Sequence, residues 1–331
     1  MRELTLSQAV NEAIAEEMRR DSKVILLGED VAEAGTPFKV LSGLVEEFGA
    51  NRVIDTPISE PGFAGIAVGA AMTGLRPIVD LMFGDFLFLV MDQICNQAAK
   101  THYMSGGKLN VPLVLRTNLG ATRRSAAQHS QSLHALVAHI PGLKVAMPSS
   151  AYEAKGLLKS AIRDNNPVVI FEDKLMYQDK ADVPDDEYLI PFGQAHVISE
   201  GEDLTFIATS SMVQVAIEAR TKLEKDGISA EVIDPRTIVP FDEKTVIDSV
   251  RKTSRALVID EGHQSFGITA EIASIISEKA FYHLDAPVQR MGAMDVPVPF
   301  SPVLEDLTVP TADSVYRRAT SLLKGELPYA P

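Results

Sequence analysis

Arg52-Val53-Ile54-Asp55-Thr56-Pro57-Ile58-Ser59-Glu60-Pro61-Gly62-Phe63-Ala64-Gly65 places a short apolar strand, a proline-punctuated break and a glycine-rich apolar helix in succession. Strand, sharp break and helix in that order make the unit of an α/β fold, and Glu60 stands at the break. Beyond it Gly62, Gly65, Gly69 and Gly74 interleave with Phe63, Ile66, Val68 and Met72, with almost no polar face. Such a helix is expected to be buried on all sides, and its small residues let another backbone approach closely. A glutamate at its start would face a poorly hydrated cleft, or would simply complement the positive end of the helix dipole. Glu60 alone does not separate these two roles.

The pattern repeats outward from this stretch. Thr5 with Gln8 forms a capping-box signature, and Leu6, Ala9, Val10, Ala13 and Ile14 follow at helical spacing to Arg20. Residues 24–27, 77–81, 111–115 and 168–171 are continuous apolar strands, with a helix expected over 152–163. Unbroken apolar strands imply a sheet covered on both faces. The polar, turn-rich stretch 179–187 interrupts the alternation. After it, strands at 204–208, 230–233, 256–259 and 288–291 alternate with helices near 213–225, 243–252, 269–280 and 314–323. Two doubly wound α/β domains follow, over 1–185 and 186–331, each on a mostly parallel sheet. Ligands of such sheets belong at the carboxyl ends of the strands, where Gly28-Glu29-Asp30 and Ser59-Glu60 lie.

A chain of 331 residues with 46% hydrophobic content suits compact domains, and a formal net charge of -14 is unsuited to nucleic acid or an anionic membrane. Any docking partner is expected to be cationic. The single cysteine, Cys95, in a helical stretch over 91–100, excludes an internal disulfide framework and reads as a small core residue in a reducing compartment. With no signal or transit pattern and no stretch able to span a bilayer, a cytoplasmic location is expected. The chain lacks a phosphate loop, a dinucleotide glycine fingerprint, His-Glu-x-x-His and Gly-x-Ser-x-Gly.

Joined to Phe83-Gly84-Asp85-Phe86 and Gln128-His129-Ser130-Gln131-Ser132, the Glu60 stretch resembles the β subunit of the thiamine-diphosphate-dependent 2-oxo acid dehydrogenase family. That family provides the first component of pyruvate, branched-chain 2-oxo acid and acetoin dehydrogenase complexes. The resemblance runs from Leu27-Gly28-Glu29-Asp30-Val31 through Tyr103-Met104-Ser105-Gly106-Gly107 and Pro141-Gly142-Leu143-Lys144 to Val296-Pro297-Val298-Pro299-Phe300. It implies that Glu60 hydrogen-bonds the pyrimidine nitrogen para to the amine of thiamine diphosphate, promoting the imino tautomer that deprotonates the thiazolium carbon. It has Phe86 stack on the pyrimidine, a residue that beside Phe83 and Phe88 alone would read as core. Ile58 and Met82 would line the same ring, and branched-chain relatives carry glutamine where Met82 stands. His129 would lie where substrate and lipoyl arm meet, with an imidazole able to donate a proton. Glu29 would link paired active sites, with turn capping as its alternative. Val111, Leu113, Ala161, Asp164 and Asn166 match a potassium site built mainly from carbonyl oxygens, although 164–167 is also an ordinary turn.

The family's diphosphate and magnesium motif, Gly-Asp-Gly followed downstream by Asn-Asn, is not completed by Gly84-Asp85-Phe86 or by Asn165-Asn166. In the family a separate α subunit supplies that half and holds Mg2+. The resemblance thus implies a chain active only in an α2β2 heterotetramer, docked on an acyltransferase core that presents lipoyl groups. The implied activity is decarboxylation or cleavage of a small oxo substrate, with transfer of the acyl unit to lipoate. Residues 60–65 and 103–107 match pyruvate enzymes, whereas 81–86, Arg116-Thr117 and 300–306 match acetoin enzymes. Half of a split transketolase or deoxyxylulose-phosphate synthase, with Arg123-Arg124 binding phosphate, and a non-catalytic docking subunit are the alternatives.

Overall fold

Thr5 accepts the amide of Gln8, and the Gln8 side chain accepts the amide of Thr5, so the expected capping box opens helix α1 (Leu6–Arg20) directly after strand β1 (Arg2–Thr5). From there the computed structural model, described over residues 1–326, runs β2 (Val24–Gly28), α2 (Leu44–Phe48), β3 (Val53–Asp55), α3 (Glu60–Met72) and β4 (Arg76–Phe83). Next come α4 (Leu87–Met91), α5 (Ala99–Met104), β5 (Val114–Leu119), α6 (His134–Ala138), β6 (Lys144–Ala146), α7 (Ala151–Arg163), β7 (Val168–Asp173) and β8 (Lys180–Val183). The second half continues β9 (His196–Ser199), β10 (Leu204–Ala208), α8 (Met212–Lys225), β11 (Ala230–Asp234), β12 (Thr237–Val239), α9 (Glu243–Thr253) and β13 (Ala256–His263). It ends with α10 (Ile268–Ala280), β14 (Gln289–Ala293), α11 (Pro302–Glu305) and α12 (Ala312–Lys324).

The larger sheet has seven strands in the order β12-β6-β7-β5-β4-β2-β3, parallel except for β12. The second has five, β14-β13-β10-β11-β9, parallel except for β9. Adjacent residues of each strand go to opposite faces. Leu26, Ile78, Val114 and Val168 pack with α1 and α7 on one side of the large sheet; Leu27, Val79, Leu115 and Val169 pack with α3 and α6 on the other. The same alternation sends Phe206 and Leu257 toward α8 and α12, and Ile207 and Val258 toward α9 and α10. Both units are therefore doubly wound, as the unbroken apolar strands imply.

Several expectations are corrected. β5 begins at Val114 rather than Val111, because Pro112 has no amide to give a ladder. The turn-rich stretch after Asp179 opens with β8, which pairs antiparallel with β1. Helix α3 is not buried on all sides: Phe63, Ala64, Ala67, Val68 and Ala71 are buried, while Pro61, Gly62, Gly65 and Gly69 are exposed and Ile66 is 68% exposed. One side of α3 lies on the sheet, and the described residues cover only that side. The stretch 91–100 winds through a π-helical segment, Asp92–Ala98, with Cys95 buried as expected. Among the described residues no helix is long and apolar enough to cross a membrane.

Candidate active site

β2, β3, β4 and β5 end on one edge of the large sheet, and β2 pairs with both β3 and β4 while β4 pairs with β5. Glu29 follows β2, Ile58 and Glu60 follow β3, Met82 lies near the end of β4 with Phe86 just beyond, and His129 sits in the loop after β5. Residues scattered over a hundred positions of sequence thus share the carboxyl edge of four neighbouring strands.

Glu60 is the first residue of α3 and is 7% exposed, and its side chain has no hydrogen-bond partner among the described residues. Burial, then the neighbouring charges of Glu60 and Asp30, push the Glu29 carboxyl above its ordinary range. Glu29 Oε1 is buried and unpartnered, so Glu29 does not serve as a turn cap. Two carboxyls close enough to disturb one another, neither tied up by the protein, leave acceptors facing the cleft.

The aromatic wall stands beside them. The His129 ring meets Phe83 edge-on at 4.7 Å between centroids and Phe86 at 5.7 Å; Phe83 meets Phe86 at 5.8 Å and Phe38 at 5.6 Å. Phe88 is turned outward, and Ile58 is 84% exposed. Met82 has φ +56°, at the point where the β4 and β5 registers slip, with its amide held by Asp80 Oδ1 at 3.0 Å. A left-handed non-glycine residue costs on the order of 1–3 kcal/mol and persists where its surroundings fix it.

A buried ionic layer supports this wall. Arg116 donates to Asp80 and, from Nε and Nη2, to Glu172 at 2.8 and 2.6 Å, and to the Tyr177 hydroxyl at 3.3 Å. Burial opposes the Arg116 charge, yet Glu172 and Asp80 raise its pKa well above the ordinary value. Buried Lys174, whose pKa burial lowers, donates to the carbonyl of His129, and Gln131 Nε2 donates to Asp85 at 2.7 Å. Sequence reasoning missed Asp80, Glu172 and Lys174 as supports. Their signal was charge within or directly after otherwise apolar strands.

The five potassium candidates lie at the opposite edge. Val111, Leu113 and Ala161 each offer a carbonyl to one main-chain amide, from Leu113, Val168 and Asp164 respectively. Asp164 pairs with Lys144 and accepts the amide and side chain of Asn166 at 2.8 and 2.9 Å. Arg123 and Arg124 are also committed: Arg123 Nη2 donates to the Lys174 carbonyl at 2.6 Å, and Arg124 Nη1 to Glu305 and Asp306 at 2.7 Å each.

Residues 2–180 match the family described as transketolase, pyrimidine binding domain, and residues 193–315 that described as transketolase, C-terminal domain. The chain is 49% identical over 334 residues to the acetoin:2,6-dichlorophenolindophenol oxidoreductase subunit beta of Bacillus subtilis, covering 97% of this chain and 98% of that one. It is 49% identical over 313 residues to the pyruvate dehydrogenase E1 component subunit beta of Rickettsia felis, covering 95% and 96%. The chain belongs to the β-subunit family of thiamine-diphosphate-dependent 2-oxo acid dehydrogenases. A mitochondrial pyruvate dehydrogenase E1 subunit beta of rice, 46% identical over 333 residues and covering 99% and 89%, lies in the same family. The solved structure titled split gene transketolase, inactive beta4 tetramer, superposes with a TM-score of 0.80 at 23% identity, over 97% of this chain and 98% of that one. That likeness shows the family fold. The family is thiamine-diphosphate-dependent, and the β-subunit names of these relatives imply an α partner. The edge fits the pyrimidine end of that cofactor: an unpartnered buried glutamate, a second unpaired carboxyl and an aromatic face beside a histidine.

Proposed function

We propose that this β subunit supplies the pyrimidine half of the active site of a pyruvate or acetoin dehydrogenase, with Glu60, Phe86, Ile58 and Met82 as its contacts. The carrying observation is Glu60 itself, a residue only 7% exposed whose carboxylate has no protein partner and opens to the cleft at the carboxyl edge of the sheet. When bound, thiamine diphosphate supplies the carbanion-stabilising chemistry. Glu60 would hold a proton at the pyrimidine ring nitrogen, Phe86 would give the ring a face, and Ile58 and Met82 would exclude water around it. His129 would move a proton where substrate and lipoyl group meet, and Glu29 would connect paired sites.

The α subunit, in an α2β2 heterotetramer, would hold Mg2+ and the diphosphate, and the acyltransferase core would receive the acyl unit in the cytoplasm. The bare apolar side of α3 supports assembly, since Gly65 and Gly69 leave room for an approaching backbone. A split-transketolase role has less support, because Arg123 and Arg124 are tied within the chain and do not offer themselves to a phosphate. The test is Glu60→Gln in the enzyme assembled with its α subunit. Turnover should fall at least tenfold, about 1.4 kcal/mol of transition-state stabilisation, with the tetramer intact and coenzyme saturating. Near-normal turnover would remove Glu60 from the mechanism.

A further inference from the structure

The loop between β5 and α6, which carries His129, has an unusual backbone. Thr122, Arg124 and Ala126 all have positive φ, +67°, +60° and +58°, close behind Gly120 at +107°. Three left-handed non-glycine residues within five positions persist only if the surroundings fix each of them. The surroundings belong largely to the other half of the chain. Glu261, on β13, accepts the Ala121 amide at 2.5 Å. Glu305, at the end of α11 and wholly buried, accepts the Arg124 amide at 3.3 and 3.2 Å and Arg124 Nη1 at 2.7 Å. Its own main chain is held in turn, since its carbonyl accepts the Thr308 amide and hydroxyl at 2.9 and 2.7 Å. From below, Lys174 donates to the His129 carbonyl, and its own carbonyl receives Arg123. A buried carboxylate is costly unless paired, and here both the charge and the lone pairs of Glu305 are spent on one loop residue.

We propose that Glu305 is a positioning residue: from the C-terminal domain it clamps the strained loop through Arg124 and so fixes His129 against Phe83 and Phe86 for acyl transfer. This rests on the role given to His129 above. Glu305 touches no substrate; it acts through five residues of loop. Misplacement of a reacting group by about 1 Å can cost as much as a hundredfold in rate, which sets the scale of the effect.

The test uses the enzyme assembled with its α subunit and a lipoyl domain as acceptor. Glu305→Gln keeps the volume and removes the charge. Single-turnover acylation should fall by roughly ten- to a hundredfold, with coenzyme affinity within about twofold of the parent. Asp306→Asn, which removes only the exposed partner of Arg124, should change neither. His129→Ala introduced into Glu305→Gln should add little further loss, because both act on the same group. Hydrogen exchange at the Ala121 and Arg124 amides should quicken in Glu305→Gln. Should that variant fail to assemble, Arg124→Ala is measured instead, with the same expectations. Parental acylation by the clamp variant, or losses from Glu305 and His129 that multiply, would overturn the clamp while leaving His129 in place. Parental acylation by His129→Ala alone would overturn the role of His129, and the clamp with it.

Discussion

Asp234 shows how a single buried group ties stability to pH. It ends β11, fully buried, with Ser149 Oγ donating at 2.5 Å, the Arg236 amide at 2.7 Å and Glu153 close by. Glu153 and Asp234 are pushed in opposite directions. Burial opposes ionisation of Glu153, but Ser150, Arg236 and His196 bring it below its ordinary range. For Asp234 burial dominates, Glu153 adds to it, and the pKa rises from 3.8 to about 7. The folded state therefore holds a proton that the unfolded chain has released, and the stability this contributes is present at low pH and lost as pH rises from about 4 toward 7. Asp234→Asn keeps an acceptor for the Arg236 amide and cannot ionise. Its melting temperature should gain on the parent as pH rises from 5 to 8, by roughly 5–10 °C, since the two pH units between 5 and the raised pKa are worth about 2.7 kcal/mol at about 1.36 kcal/mol each and each kcal/mol moves Tm by about 2–4 °C. Parallel melting profiles across that range would show that Asp234 does not titrate there.

Strands that are apolar on both faces declare themselves, and so the centres of β2, β4, β7, β10, β11 and β13 were legible in the residues alone. β1, β8 and β12 were not. Each is a short edge strand whose partner lies far away in sequence, so what makes it a strand is tertiary pairing. β12 also crosses the division read at 185, adding an antiparallel edge to the sheet of the first half. The site divides in the same way. Glu60, Phe86 and His129 were legible because local motifs surround them, whereas Lys174, Glu261 and Glu305 matter through contacts between distant segments. The potassium candidates belong to this scale, since they join the start of β7, the end of α7 and the approach to β5. Each carbonyl of Val111, Leu113 and Ala161 accepts one amide and keeps a second lone pair, while Lys144 already serves Asp164. We propose that a potassium ion uses those remaining lone pairs and the Asn166 side. Replacing potassium by choline at constant ionic strength should then lower Tm by several degrees, with turnover at low temperature little changed because the site lies at the far edge of the sheet. An unchanged Tm would mean that Lys144, together with Arg76, which donates to the Asp164 carbonyl and to Asn165 Oδ1, provides all the positive charge the turn needs.

At the scale of the whole molecule, the distribution of charge and apolar surface argues for a shared site. The chain carries a net charge of -14, which disfavours an anionic diphosphate, and the family's Gly-Asp-Gly and Asn-Asn motif is missing. Among the described residues no group of three or more histidine, cysteine, aspartate or glutamate side chains converges to hold a metal ion. What the chain does provide is an edge of carboxylates and aromatic rings suited to a pyrimidine and, on α3, an apolar side that the described residues leave open. A coenzyme held at one end forgoes the interactions of the other, and each 1.4 kcal/mol lost is about tenfold in affinity. Purified alone, the chain should bind thiamine diphosphate with Mg2+ at least about a hundredfold more weakly than the chain co-purified with its α subunit, which corresponds to roughly 2.7 kcal/mol. Calorimetric titration of both preparations in the same buffer makes the comparison, and adding the α subunit to the isolated chain should restore the tight phase. If the isolated chain binds the coenzyme tightly and in proportion to Mg2+, the division of the site between two subunits is wrong, and the diphosphate must be held by groups of this chain other than those named here.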